Sequence, residues 1–160
     1  MNRLRKAILT ALALALILTL SSCAGKFDDP QKIIDDALAS GAFSETLEPV
    51  ENAELMYSNF GLNSSMVESA IFYMSSGATS ETIVYLKAKA SESMYSVALV
   101  AKARVVTLKN SESGYRPEEI PKLDNARVIE DSKSRVVILI VANDYSKLPE
   151  VLRDAPLALE

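Results

Sequence analysis

Beyond residue 29 the hydrophobic positions of the chain fall into two spacings, one helical and one extended. Ile33, Ile34, Ala37 and Leu38 recur at helical spacing behind Asp29-Pro30, and Gly41 follows them. Asp29 suits a cap, Pro30 the first helical position and Gly41 a stop. A second short helix is predicted over about Asn52 to Phe60, with Leu55, Met56 and Phe60 inward and Gly61 at its end. Two runs rich in β-branched and aromatic residues come next, Val67 to Met74 and Thr82 to Ala88. Ser75-Ser76-Gly77 breaks between them, so they read as a hairpin with a longer loop. From Ser91 to about Asn110 the period returns to 3.6, with Met94, Val97, Ala98, Ala101, Val105 and Leu108 on one stripe. A loop holding Gly114, Pro117 and Pro121 leads to a second hairpin, Ala126 to Glu130 with Arg135 to Asn143, across Asp131-Ser132-Lys133-Ser134. Val136 to Val141 is apolar without a break, which predicts a central strand covered on both faces. A last helix over about Ser146 to Arg153 carries Leu148, Val151 and Leu152 and stops at Pro156. The expected fold is α+β, in the order α-α-β-β-α-β-β-α. It has an antiparallel four-stranded sheet of two β-hairpins with helices packed on it. The pattern assigns 30–155 to one domain and 156–160 to a C-terminal tail.

The N-terminal pattern is of another kind. Arg3, Arg5 and Lys6 precede an apolar run from Ala7 to Leu20 that only Thr10 and Thr19 interrupt. As a helix the run would reach roughly 21 Å against a hydrocarbon core of about 30 Å, which suits the hydrophobic region of a secretory signal better than a permanent span. It ends in Leu20-Ser21-Ser22-Cys23, the only cysteine of the chain. These four residues resemble the lipobox of bacterial lipoproteins, which implies cleavage between Ser22 and Cys23 and a diacylglycerol on the Cys23 thiol. The plainer reading is a lone cysteine at the end of a signal, but position, apolar run and box agree on the lipid. On this reading 1–22 is a lipoprotein signal peptide and 23–29 a lipidated cysteine with a short tether. The chain then stands on the outer face of the cytoplasmic membrane, in the bacterial cell envelope. Two acyl chains suffice for stable anchoring where one is marginal.

Composition then narrows the chemistry. Removing residues 1–22 takes three cations and no acid, so the formal charge moves from −4 to −7. That balance disfavours nucleic acid and polybasic attraction to anionic lipid. The chain has no histidine, and its one cysteine is assigned to lipid. His-dependent triads, thiol chemistry, zinc sites of Cys or His, and haem or iron–sulfur ligation by the usual residues are thereby removed. No disulfide is available, so packing alone must hold the fold, and no cofactor is expected.

One resemblance covers most of residues 31–155. The segment Glu54-Leu-Met-Tyr-Ser-Asn-Phe-Gly-Leu62 and the hairpin start Glu68-Ser-Ala-Ile-Phe-Tyr73 are followed by Gly114-Tyr-Arg-Pro-Glu-Glu119, Leu123-Asp-Asn-Ala126 and the strand Val136 to Val141. In this order they resemble a family of lipoproteins of Firmicutes-type bacteria that carries domain of unknown function 4358. The motifs are specific as a set and weak singly. The resemblance implies a similar lipid-anchored domain and transfers no catalytic or binding residue. In the family the long helix is usually charged on its outer side, whereas here Leu99, Val100 and Val106 add apolar surface.

Candidate sites are few. Tyr95, Leu99 and Val106 form a second stripe on the long helix, readable as a contact surface for another protein. Burial under the N-terminal helix is the expected outcome, because large exposed apolar patches are unusual on monomers. Tyr115 and Arg116 could serve a recognition loop. The structural reading gives Pro117 the first position of a helical turn, with Glu118 and Glu119 at its positive end. Asp28, Asp29, Asp35 and Asp36 lack the alternation and glycine of a calcium loop. Met56, Met66, Met74 and Met94 sit at core-like positions. Asn63-Ser64-Ser65 matches a glycosylation sequon that a bacterial lipoprotein would not use. Paired carboxylates for hydrolysis depend on a separation in space that sequence does not give. No catalytic or metal residue is assigned. The leading expectation is a non-catalytic interaction module that binds an envelope protein or wall component, tethered to the membrane through lipid on Cys23. Behind it stand a small-solute or wall-fragment binding subunit and, third, a carboxylate-dependent hydrolase.

Overall fold

The computed structural model describes residues 26–159. The expected signal peptide, the Ser22–Cys23 cleavage site and the lipid on Cys23 lie outside the described residues. Helix α1 spans Pro30–Ala39, and the Asp29 carboxylate accepts from the Lys32 N–H at 3.0 Å, as the sequence suggests. Strand β1 is the dipeptide Glu48–Pro49, and helix α2 spans Ala53–Phe60 behind an Asn52 cap. Strands β2 (Val67–Met74) and β3 (Thr82–Ala88) precede the long helix α3, Met94–Tyr115. A 3-10 turn over Pro117–Glu119 leads into the short α4, Ile120–Asp124. Strands β4 (Arg127–Asp131) and β5 (Val136–Val141), a 3-10 turn over Tyr145–Lys147 and α5 (Glu150–Arg153) complete the described chain.

The sheet is antiparallel with strand order β1-β2-β3-β5-β4, so it has five strands where the hydrophobic pattern predicted four. The extra strand is a two-residue pairing of Glu48 with Met74 and Pro49 with Tyr73, too short to carry any periodicity. β5 is an interior strand between β3 and β4, and all six of its residues are buried, as its unbroken apolar run predicts.

Side-chain alternation divides the core into two layers. Val84 lies opposite Leu139 and Leu86 opposite Val137. These face α2 and α3 together with Val128, Phe60 and Phe72. Tyr85 lies opposite Ile138 and Ile83 opposite Ile140. These face α1 and α5 through Ile33, Ile34, Ala37 and Leu152. Helices thus cover both faces of the sheet, with α1 and α3 on opposite sides.

The bounds of the packed region are wider than 30–155. Phe27 is buried among the α1-side residues and its carbonyl accepts from the Tyr85 hydroxyl at 3.1 Å. At the other end Leu157 bridges Arg127, and buried Ala158 donates its N–H to the Ala126 carbonyl at 2.8 Å. Two helices differ from expectation. α3 runs on through Gly114, so that glycine lies in a helix rather than a loop. In α2, Met56 and Phe60 turn inward but Leu55 is 60% exposed, because an eight-residue helix has one side to bury and Leu55 stands off it. Gly61 ends α2 with φ 73°, the left-handed conformation that favours glycine.

Candidate functional site

The outer side of α3 is exposed where burial was expected. Tyr95 is 75%, Leu99 53% and Val106 44% exposed. The expected cover, α1, packs on the other face of the sheet, where its own apolar side meets Ile83, Tyr85 and Ile138. Every exposed residue of this helix is uncharged: Tyr95, Ser96, Leu99, Ala103, Val106 and Thr107 in its first half, polar or small residues after them, and Tyr115 last. Its lysines are drawn aside, Lys102 to Glu130 at 3.1 Å and Lys109 to Asp124. At about 1.5 Å per residue α3 is roughly 33 Å long, and on its outer side half-exposed Lys102 stands between Leu99 and Val106, paired to Glu130.

Tyr115 ends that face, 86% exposed, while the neighbouring Arg116 is committed elsewhere. Its Nε and Nη2 donate to the two Glu112 carboxylate oxygens at 2.7 and 2.6 Å, and its Nη1 donates to the Gly77 carbonyl at 2.8 Å. Those hydrogen bonds to Glu112 raise the pKa of the guanidinium still further. The two candidates from this segment therefore part: Tyr115 belongs to the outer surface, and Arg116 clamps α3 to the β2–β3 loop. Pro117 opens a helical turn as its sequence context predicts, but Glu119 turns inward.

Sequence reasoning missed the buried ionic network that Glu119 joins. Glu81 and Glu119 are 1% and 4% exposed. Lys122 Nζ lies between them, 2.8 Å from Glu81 Oε1 and 3.0 Å from Glu119 Oε1. Ser44 donates its N–H and hydroxyl to Glu81, and Ser80 donates both to Glu119 at 2.8 and 2.7 Å. Burial alone would push Lys122 and Glu119 toward neutrality. For Lys122 the hydrogen bonds and charges of the two glutamates outweigh it and raise the pKa. For Glu119 the donors Ser80 and Lys122 outweigh it and lower the pKa. Beside them, hydrogen bonds from Ser75 and Thr79 hold half-buried Glu45 below the usual carboxylate range. The network closes on Tyr145, whose hydroxyl donates to the Lys122 carbonyl at 2.8 Å and accepts the Ala142 N–H at 3.0 Å.

Chemically this network joins segments. It ties the loop after α1, the loop between β2 and β3, and the turn before α4. Its serine hydroxyls donate to carboxylates and its lysine stays protonated, so it offers neither an activated nucleophile nor a free base. The acidic pairs near α1 are dispersed: Asp29 caps the helix, Asp35 accepts from Gln31, and Asp36 pairs with Lys32. Among the described residues no group of three or more His, Cys, Asp or Glu is arranged to hold a metal ion. None of the described helices is long and apolar enough to cross a membrane.

A sheet covered by helices on both faces, with an apolar stripe exposed on its long helix, defines a small α+β module. Residues 39–142 match the family model described as a domain of unknown function, DUF4358, and the chain belongs to that family. No curated protein and no solved structure matches it.

Proposed function

We propose that the chain is a non-catalytic, lipid-tethered module that binds an envelope protein at the outer face of the cytoplasmic membrane through the outer side of α3. The observation that carries this reading is the exposure of Tyr95, Leu99 and Val106 on the outer side of α3, where Lys102 between them is already paired to Glu130. Exposed aromatic and aliphatic side chains beside a charge that is already paired suit a desolvated protein contact. The conversion of Glu81, Glu119 and Lys122 into an internal clamp supports the non-catalytic part.

The anchor supports the direction of the surface. Only three residues separate Cys23 from Phe27, a span of about 14 Å when fully extended. Phe27 is buried in the α1 layer, so a lipid on Cys23 keeps that layer next to the bilayer. On this reading α3, across the sheet from that layer, is the side turned from the membrane toward other envelope components.

The test is site-specific photocrosslinking of the full chain in intact membranes. Photoreactive residues at Tyr95 and Leu99 are expected to join one defined envelope protein, whereas one at Gln31 on the α1 side is not. Uncrosslinked monomer at all three positions would refute the reading. The tether has its own test. Cys23→Ala is expected to accumulate as precursor or leave the membrane, and membrane retention at mature size would refute lipidation.

A further inference from the structure

Between α2, α3 and the β2–β3 loop lies a cavity of about 180 Å³. Phe60, Met74 and Leu108 give it an apolar wall, and Arg104, Glu112 and Arg116 bring charge to its lining. These charges are unevenly matched. Glu112 is neutralised by the bidentate Arg116, and Glu81, which also reaches the lining, is neutralised by Lys122. Arg104 has no carboxylate partner among the described residues. Its Nε is buried and makes no hydrogen bond, and its guanidinium carbon lies 5.1 Å from the centroid of the Phe60 ring. Burial lowers its pKa, yet a guanidinium keeps its charge across the accessible pH range. A half-buried cation without a carboxylate partner, lining a cavity whose carboxylates are already engaged, is a site one negative charge short.

We propose that this cavity binds a compact monocarboxylate, whose carboxylate pairs with Arg104 and whose short apolar end packs on Phe60, Met74 and Leu108. The size fits: the volume equals about six waters at roughly 30 Å³ each and falls below the range of drug-sized pockets. The charge fits as well. One unbalanced cation matches a single negative charge, whereas a phosphate dianion would bring excess charge beside Glu112 and Glu81. An amino acid fits less well, since its ammonium would find both carboxylates taken. This site is separate from the outer face of α3 and stands or falls without it.

The experiment is titration of the isotopically labelled full chain in detergent with sodium butyrate, observed at the Arg104 Nε–H and at the methyl groups of Met74 and Leu108. Sodium phosphate and butylammonium chloride are the comparison probes. Butyrate is expected to shift these signals saturably, and Arg104→Gln is expected to weaken binding by about tenfold or more, the loss of one charge-assisted hydrogen bond. Arg104→Gln removes a charge that lacks a counter-ion, so the variant is expected to stay folded, which its methyl spectrum checks directly. Lys102→Gln on the same helix is expected to bind butyrate as the parent does. Absence of saturable shifts with butyrate, equal response to phosphate or butylammonium, or undiminished binding by folded Arg104→Gln would each overturn the proposal.

Discussion

The ammonium of Lys122 stands 2.8 Å from the Glu81 carboxylate and at the same time 3.0 Å from that of Glu119. One cation thus answers two buried acids that come from different segments of the chain. Lys122→Met would leave both acids without their counter-charge, an expected loss of about 3–5 kcal/mol in urea unfolding. Adding Glu81→Gln and Glu119→Gln to that variant is expected to recover much of the loss, because the amide oxygens still accept from Ser44 and Ser80.

The same cluster sets a pH window. Glu119 has a folded pKa below its ordinary 4.5, so its contribution is complete above that value and is lost as pH falls through the folded pKa. Lys122 has a folded pKa above its ordinary 10.5, so its contribution is complete below that value and is lost as pH rises through the folded pKa. Stability measured by urea midpoints should therefore be flat in these two groups between about pH 5 and pH 10 and fall on both sides. A decline beginning near neutrality would contradict the assignment.

Tyr145 supplies a sharper test of the junction. Tyr145→Phe keeps the ring under Arg127, whose guanidinium carbon lies 5.1 Å from the ring centroid, and removes only the hydroxyl. The Ala142 N–H and the Lys122 carbonyl both lose a partner, at an expected cost of about 1–3 kcal/mol. Thermal unfolding reads the loss, and amide exchange at Ala142 should accelerate.

On the outer face of α3 the expectation reverses. Leu99→Lys touches a side chain already half exposed, so stability should change by no more than about 0.5 kcal/mol. Crosslinking from Tyr95 to an envelope partner should disappear with it. An unfolded Leu99→Lys variant would show that Leu99 belongs to the core.

Much of the fold is legible along the chain because its signals are local. Asp29 and Asn52 cap helices through neighbouring N–H groups, Gly61 ends one, and the six apolar residues of β5 announce a strand buried on both sides. The misses have nonlocal causes. β1 depends on Pro49 meeting Tyr73 across the sheet, and the exposure of Leu99 depends on which face α1 takes. The ionic network was silent for the same reason. Glu81 and Lys122 stand 41 residues apart, and neither carries a local mark that distinguishes it from a surface charge. Arg116 and Glu119 drew notice through their proline neighbour, which pointed to a helical turn but not to inward-facing partners.

The slightness of β1 has a consequence for crowded surroundings. A sheet exposes unpaired backbone along its outermost strands, and other copies can add strands there. Here one margin ends in Pro49, which has no N–H to offer, and beyond it β2 carries Glu68 and an irregular register between Val67 and Ser69. The opposite margin, β4, meets Leu157 of its own chain at Arg127. Copies packed side by side thus meet a proline at one margin and a strand capped at its first residue at the other, features that work against stacked, fibre-like sheets at high local density.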